Sequence, residues 1–115
     1  MFEHASNVVQ VPAGETIFAA GDPGNGRMYV VLEGTVEIRL GNRTLDTIEA
    51  GGLFGEMALI DEGPRSASAI AQAHSRLAAV DERQFLFMVQ QTPFFSLHVM
   101  RILAERLRDV NRRLG

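Results

Sequence analysis

Residues 51 to 69 read GGLFGEMALIDEGPRSASA, and this stretch decides how the rest of the chain is interpreted. It holds a glycine-rich turn at Gly51-Gly52, a carboxylate at Glu56, an arginine at Arg65 and several small residues after the arginine. Glycine permits the tight or left-handed backbone that such a turn needs. One folded loop of this length can bring Glu56 and Arg65 together, so the stretch predicts a small binding site with one acidic and one basic group.

The overall composition is that of an ordinary globular protein with one core: 115 residues, of which 46% are hydrophobic and 22% charged. A net charge of −3 argues against nucleic-acid binding by the chain itself. The lack of cysteine excludes disulfides and thiolate metal sites. No apolar run approaches the roughly eighteen residues of a membrane span, and the N-terminus has no signal-peptide pattern. We therefore expect a cytoplasmic protein without a membrane partner.

Residues 7 to about 80 have the pattern of short strands separated by turns. The predicted strands are 16–18, 28–32, 35–40, 44–48, 68–73 and 77–80. Over 36–40 apolar and charged residues alternate, which is typical of a half-buried strand, and Gly41-Asn42 predicts a hairpin to the next strand. Many short strands at this spacing indicate an antiparallel sandwich, barrel or jelly roll, and the periodicity alone does not choose among the three.

The pattern becomes helical from about residue 81. Asp81 and Gln84 form a capping-box pair, which predicts a short helix over about 81–91. Thr92-Pro93 is typical of an N-cap followed by a proline in the first helical turn, and predicts a long helix over about 93–114. We expect a single domain over 1–115, with a β-roll over about 8–80 and these two helices.

The residue types of the 51–69 stretch suit a ligand that carries one phosphate and one sugar hydroxyl. Arg65 supplies a full positive charge and a planar fork of donors for a phosphate. If Gly55 to Ala58 form a helical turn, their backbone N–H groups favour an anion as well, and Ser66 adds a hydroxyl. Glu56 is the acceptor for a ribose hydroxyl. The alternative is that Glu56 and Arg65 form an ordinary surface ion pair, which contributes little.

The order of these residues resembles the phosphate-binding cassette of cyclic nucleotide-binding domains. FGEMAL at 54–59 followed by PRSA at 64–67 carries the resemblance, and GETIF at 14–18, GDPG at 21–24, MYVVLEG at 28–34 and VEI at 36–38 extend it upstream. The family includes catabolite activator proteins, regulatory subunits of cAMP-dependent protein kinase and cyclic nucleotide-gated channels. The resemblance implies a mainly β fold, a jelly roll (double-stranded β-helix) followed by a short helix and a long C-terminal helix.

The resemblance also implies roles for individual residues, by their positions in the family's motif. Glu56 accepts from the ribose hydroxyl, Arg65 pairs with the phosphate, and we expect Arg65 to serve the ligand more than the fold. The remaining implied ligand contacts are the backbone of Gly55, Met57 and Ala58, the phosphate contacts Ser66 and Ala67, and the base neighbours Ile38, Leu45 and Asn111.

The last predicted helix carries apolar residues at spacings of three and four, which is typical of a coiled-coil seam. These residues are Met100, Leu103, Leu107, Val110 and Leu114. One interpretation is a homodimer through this seam, and the other is a stripe that packs on the β-roll. Val110-Asn111 stand where activator proteins have two hydroxyl residues that contact adenine, so the choice between cAMP and cGMP stays open, with cAMP favoured on family frequency.

Catalysis and metal binding are not indicated. The three histidines are scattered, at 4, 74 and 98, without ligand spacing, and no nucleophile lies beside a base. We therefore expect a non-catalytic sensor without a cofactor or metal, which changes its helix packing on binding a cyclic nucleotide. The alternative is a constitutive dimerisation module of the same fold. We expect no DNA-binding domain within these residues.

Overall fold

The computed structural model describes residues 7–59, 63–91 and 93–114, with the backbone alone at 93, 95 and 106–114. The chain divides into two compact units between Glu82 and Arg83. The first unit contains all the strands of the described residues, and the second contains almost all of the helical part.

Eight strands form the first unit. They are β1 (Val8–Val11), β2 (Thr16–Phe18), β3 (Arg27–Glu33), β4 (Thr35–Leu40), β5 (Arg43–Glu49), β6 (Leu53–Phe54), β7 (Ser68–Ala71) and β8 (Ser75–Asp81). They make two four-stranded sheets with strand orders β1-β8-β3-β6 and β2-β7-β4-β5, and all the pairs are antiparallel. Sequence neighbours often lie in different sheets, as in a jelly roll, so the predicted fold class is confirmed.

The predicted hairpin between β4 and β5 is confirmed. Val36 pairs with Ile48 and Glu37 with Thr47. Val36 is fully buried and Ile38 packs against the core, whereas Leu40 at the end of the strand is exposed. Gly41 lies in the turn with φ +62, a left-handed conformation that glycine adopts without strain. The register shifts between Ile38 and Arg39, because Ile38 pairs with Asp46 and Arg39 with Thr44. Leu45 therefore lies at a β-bulge.

Two strands were not predicted. The segment that forms β1 does not alternate between apolar and polar residues. It becomes a strand by pairing with β8, with Val8 opposite Ala78. β6 has only two residues, and it pairs with β3, with Leu53 opposite Val30. Both strands depend on long-range pairing, which a local pattern cannot reveal.

The core of this unit lies between the two sheets and includes an aromatic cluster. The Tyr29 and Phe54 rings are stacked with centroids 5.3 Å apart, and Phe18 lies 6.0 Å from Phe54 and 6.2 Å from Tyr29. Phe54 is fully buried and ends β6, directly before the glycine that opens the predicted cassette. Such aromatic packing fixes the position of the backbone that carries the candidate site.

A buried serine joins two turns on the other side of the unit. Ser75 is fully buried, and its Oγ accepts from Thr35 N at 3.2 Å and donates to Ala73 O at 2.8 Å. Gly34, between β3 and β4, has φ +96 and approaches this serine so closely that a Cβ there would overlap Ser75 Oγ and lie 2.6 Å from His74 O. Only glycine fits this position.

The second unit contains the two predicted helices, α1 (Glu82–Gln91) and α2 (Pro93–Leu114). Asp81, the predicted cap, is the last residue of β8 and directly precedes α1. Several large apolar side chains of the described helical residues are exposed, among them Phe87, Phe94 and Met100. None of the helices described is long and apolar enough to cross a membrane.

Candidate functional site

The backbone of the predicted cassette forms a glycine corner and one short helical turn. β6 ends at Phe54, Gly55 follows with φ +75, and Glu56–Leu59 forms a 3-10 turn in which Ala58 N donates to Gly55 O at 3.2 Å. The helical turn predicted for Gly55 to Ala58 is therefore present. A left-handed residue before the turn aims the 56–58 backbone away from β6.

Arg65 is a buried arginine, with 8% of its surface exposed. Its Nη2 donates to Asn25 Oδ1 at 2.7 Å and to Arg27 O at 2.9 Å, and its Nη1 donates to Gly55 O at 3.2 Å. These contacts use three of the five N–H donors of the guanidinium. Its acceptors come from two separate segments, the glycine corner and the end of the β2–β3 loop together with the first residue of β3.

The electrostatic surroundings leave this guanidinium charged but desolvated. Its carbon lies 4.1 Å from the centre of the Phe18 ring, a cation–π arrangement. Burial lowers the pKa of Arg65 from its ordinary value, while Tyr29 and Glu56 act in the opposite direction. Arginine remains protonated throughout the physiological range. A positive charge in a partly desolvated position attracts an anion more strongly than one in water.

The β2–β3 loop, residues 19–26, also holds the main chain of Arg65. Gly21 N donates to Arg65 O at 2.7 Å, and Arg65 N donates to Asp22 O at 2.8 Å. Gly24 approaches the cassette so closely that a Cβ there would lie 2.9 Å from Gly63 O. Backbone and side chain of Arg65 are thus fixed by one loop some forty positions earlier in the chain.

The other predicted phosphate and ribose residues differ in how far they are exposed. Glu56 and Ala58 are half-buried in the 3-10 turn, and Met57 between them is 58% exposed. Ser66 is exposed and Ala67 half-buried, directly after Arg65. Burial lowers the pKa of Arg65, and the charge of Glu56 is the smallest of the influences that raise it, so the two groups interact electrostatically.

The predicted base neighbours lie on the second sheet. Ile38 on β4 is half-buried, packs against the core and pairs with Ala69 of β7 and Asp46 of β5. Leu45 is half-buried at the bulge of β5. The backbone of Asn111 is helical, but its side chain lies outside the described residues, and so do those of Leu107, Val110 and Leu114.

One expectation about Arg65 needs correction. The sequence suggested that it serves the ligand more than the fold, whereas three hydrogen bonds to the protein and its contact with Phe18 make it part of both. Sequence reasoning also missed Asn25 and Phe18. Asn25 lies in a loop rich in glycine, where asparagine is a common turn residue, so its pattern carried no sign of a contact with Arg65.

Among the described residues, no group of three or more histidine, aspartate or glutamate side chains is arranged to hold a metal ion. A desolvated guanidinium with a carboxylate and a hydroxyl close to it in sequence suits an anion with an adjacent hydroxyl, and binding of such a ligand stays a prediction of the cassette pattern.

Comparison with known proteins shows the family to which the chain belongs. Residues 8–92 match the family model of the cyclic nucleotide-binding domain. The cyclic AMP receptor protein of Thermus thermophilus is 39% identical over 105 residues, which cover 87% of this chain and 48% of that protein. A CRP-like cAMP-activated global transcriptional regulator of Mycobacterium tuberculosis is 35% identical over 112 residues, covering 93% of this chain and 50% of that protein.

Solved structures agree with the fold as well. The catabolite activator protein of Thermus thermophilus superposes with a TM-score of 0.79 at 36% identity, covering 93% of this chain and 52% of that one. The EAL enzyme Bd1971 in its cAMP-bound form has a TM-score of 0.65 at 37% identity, covering 90% of this chain and 29% of that one. The chain belongs to the cyclic nucleotide-binding domain family, and it spans about half the length of the curated relatives described above.

Proposed function

We propose that residues 8–114 form a non-catalytic sensor domain that binds a cyclic nucleotide at the cassette, with cAMP as the preferred ligand. The observation that carries the proposal is Arg65: a desolvated guanidinium held by neutral oxygen acceptors, with Glu56 and Ser66 beside it. A cyclic phosphodiester brings one negative charge, and a partly desolvated guanidinium attracts such an anion more strongly than one in water.

In this proposal each group of the cassette has one task. Arg65 pairs with the phosphate, Ser66 and Ala67 and the backbone of Gly55, Met57 and Ala58 contact its oxygens, and Glu56 accepts from the ribose 2′-hydroxyl. Ile38 and Leu45 border the base, and Asn111 contacts its edge. Because none of these groups activates a nucleophile, the domain binds the nucleotide without hydrolysing it.

The preference for cAMP rests on the relatives. Two of them are named as a cAMP receptor and a cAMP-activated regulator. The structures of Bd1971 include a cAMP-bound and a cGMP-bound form, at 37% identity to this chain in both cases, so the domain type itself accepts either base. The ratio of the two affinities is therefore the quantity to measure.

The test is a calorimetric titration of the purified chain with cAMP and cGMP, with Arg65→Ala and Arg76→Lys alongside. Truncating one partner of a buried charge pair costs roughly 2–5 kcal/mol, so Arg65→Ala should weaken binding by about 30-fold or more. Arg76 lies on β8 and forms an ion pair with Glu33, away from the contacts of Arg65, so its variant should bind as the parent does. Failure of the parent to bind either nucleotide would refute the proposal.

A folding control is needed because Arg65 also contacts the fold. Circular dichroism at the titration temperature gives the folded fraction of each variant. Arg65→Ala removes the hydrogen bonds to Asn25, Arg27 and Gly55, and each such bond contributes about 0.5–1.5 kcal/mol to stability. The affinity of each variant is then calculated from the concentration of folded protein alone.

The signalling step we propose is a population shift. Ligand draws the 51–58 loop inward, and α1 and α2 change their packing in response, provided that the nucleotide prefers the closed state. Spin labels on α1 and α2 would report their separation with and without cAMP. Identical distance distributions at saturating cAMP would exclude the step.

We further propose a cytoplasmic homodimer that forms through the α2 seam. Within the described side chains of that seam, Met100 is 63% and Leu103 38% exposed, so both are open to a partner helix. Sedimentation equilibrium should show a dimer for the parent and a monomer for Leu103→Glu, since a charge in an apolar seam is unpaired. A monomeric parent, with and without cAMP, would contradict the dimer and leave nucleotide binding intact.

A further inference from the structure

Asn25, in the loop between β2 and β3, uses both ends of its side-chain amide. Its Oδ1 accepts from Arg65 Nη2 at 2.7 Å and from Arg27 N at 3.1 Å, and its Nδ2 donates to the hydroxyl of Tyr29 at 3.1 Å. The contact with Arg65 is the shortest of that guanidinium's three hydrogen bonds. Hydrogen bonds to a charged group are stronger than neutral ones, so this amide has a defined orientation.

The three partners of Asn25 differ in how they are fixed. Tyr29 is buried on β3 and stacked on Phe54, and Arg27 begins the same strand. Asn25 therefore connects the guanidinium of Arg65 to the aromatic core through Tyr29. An arginine side chain loses rotamer freedom when it is fixed, and a site that fixes it before binding avoids that cost on binding.

We propose that Asn25 is a positioning residue for the ligand: it does not touch the nucleotide, but it holds the Arg65 guanidinium in its binding orientation and couples it to Tyr29. The inference rests on the proposed function, because the orientation matters only if Arg65 binds the phosphate. The alternative is that Asn25 merely shapes its own loop, in which case its removal would affect folding and not the action of Arg65.

Tyr29 provides a readout within the protein. The chain has one tyrosine and no tryptophan, so its near-ultraviolet fluorescence comes from Tyr29 alone. The hydroxyl of Tyr29 is one hydrogen bond away from the amide that holds Arg65. Phosphate binding at Arg65 should therefore alter Tyr29 emission through Asn25.

The experiment is a double-mutant cycle with cAMP as the probe, in which Asn25→Ala and Arg65→Lys are made singly and together. Asn25→Ala should weaken cAMP binding by about tenfold in the parent, the effect of one hydrogen bond to a charged group. It should have almost no further effect in the Arg65→Lys background, because lysine lacks the fork that Asn25 orients. The change of Tyr29 emission on adding cAMP should also disappear in Asn25→Ala.

Two further variants keep the result interpretable. Asn25→Asp retains an oxygen acceptor for Arg65 and should recover most of the affinity. Asn42→Ala, in the exposed β4–β5 turn, is the matched control and should bind cAMP as the parent does. Circular dichroism on each variant separates a loss of fold from a loss of orientation.

The outcomes are separable. If the parent binds neither cAMP nor cGMP, the proposed function fails and this role fails with it. If the parent binds and Asn25→Ala binds equally well, or loses the same factor in both backgrounds, the positioning role alone is overturned. We expect Asn25→Ala to weaken cAMP binding tenfold only when Arg65 is present, and Asn25→Asp to recover most of the affinity.

Discussion

Gly55→Ala should damage both the fold and the ligand site, for two separate physical reasons. Gly55 has φ +75, and a Cβ added there would lie 2.9 Å from Arg65 Nη1 and 3.5 Å from Phe18. The left-handed backbone alone costs a non-glycine residue about 1–2 kcal/mol. The contact with Arg65 adds to this, because Nη1 must move away from the Gly55 carbonyl to which it donates.

The size of the second effect can be isolated with Gly41→Ala. Gly41 has φ +62, and a Cβ there would meet nothing within 4 Å, so this variant carries the backbone strain without a steric contact. We expect Gly41→Ala to lower the free energy of unfolding by about 1–2 kcal/mol and Gly55→Ala by roughly 2–4 kcal/mol. The difference between the two variants is the cost of displacing Arg65.

Urea unfolding followed by circular dichroism measures the two stabilities, and calorimetry with cAMP measures the affinities. Gly55→Ala should bind cAMP at least tenfold more weakly, since the guanidinium is displaced, while Gly41→Ala should bind as the parent does. Equal losses of stability in both variants, with parental affinity in Gly55→Ala, would show that Gly55 does not make room for Arg65.

Three other substitutions test separate parts of the structure. Gly34→Ala should reduce the free energy of unfolding by more than 3 kcal/mol, because a Cβ would overlap the buried Ser75; a thermal melt within a few degrees of the parent's would contradict the close approach. Hydrogen bonds from Thr44, the larger effect, and from Gln72 lower the pKa of Glu37 below its ordinary value of 4.5. The ionised Glu37 therefore stabilises the fold above that pH, and this contribution is lost as the pH falls through the lowered pKa. The free energy of unfolding of Thr44→Val should therefore fall less steeply on acidification than that of the parent. Urea midpoints between pH 3 and 6 that follow those of the parent would exclude this role of Glu37. Glu56→Gln should weaken cAMP more than 2′-deoxy-cAMP, and an equal loss for both nucleotides in calorimetry would exclude Glu56 as the acceptor of the 2′-hydroxyl.

Strands with alternating side chains were predictable because their burial is encoded locally. β4 was predicted over 35–40 and observed at Thr35–Leu40, since Val36 is buried and Ile38 packs against the core, although Leu40 at the end of the strand is exposed. β1 and β6 were missed because a four-residue segment without alternation and a two-residue segment acquire their conformation from β8 and β3. Both helices were found from their caps and from Pro93.

The candidate site, too, was predictable only in part. The order of Glu56, Arg65 and the glycines in one short segment predicted a phosphate site, because a phosphate demands those residue types. The burial of Arg65 did not follow from that segment, because its acceptors Asn25 and Arg27 lie 40 and 38 positions earlier. A contact between distant loops leaves no periodic signal in one sequence.

The pairing of β1 with β8 has a consequence for synthesis on the ribosome. Ala79 N donates to Asn7 O, and the two residues are 72 positions apart. While the chain emerges, β1 has no partner until nearly the whole roll has left the exit tunnel, and contacts of such long separation close slowly. The nascent N-terminal strand is exposed during that interval, so chaperone binding and aggregation compete with folding at this end of the protein.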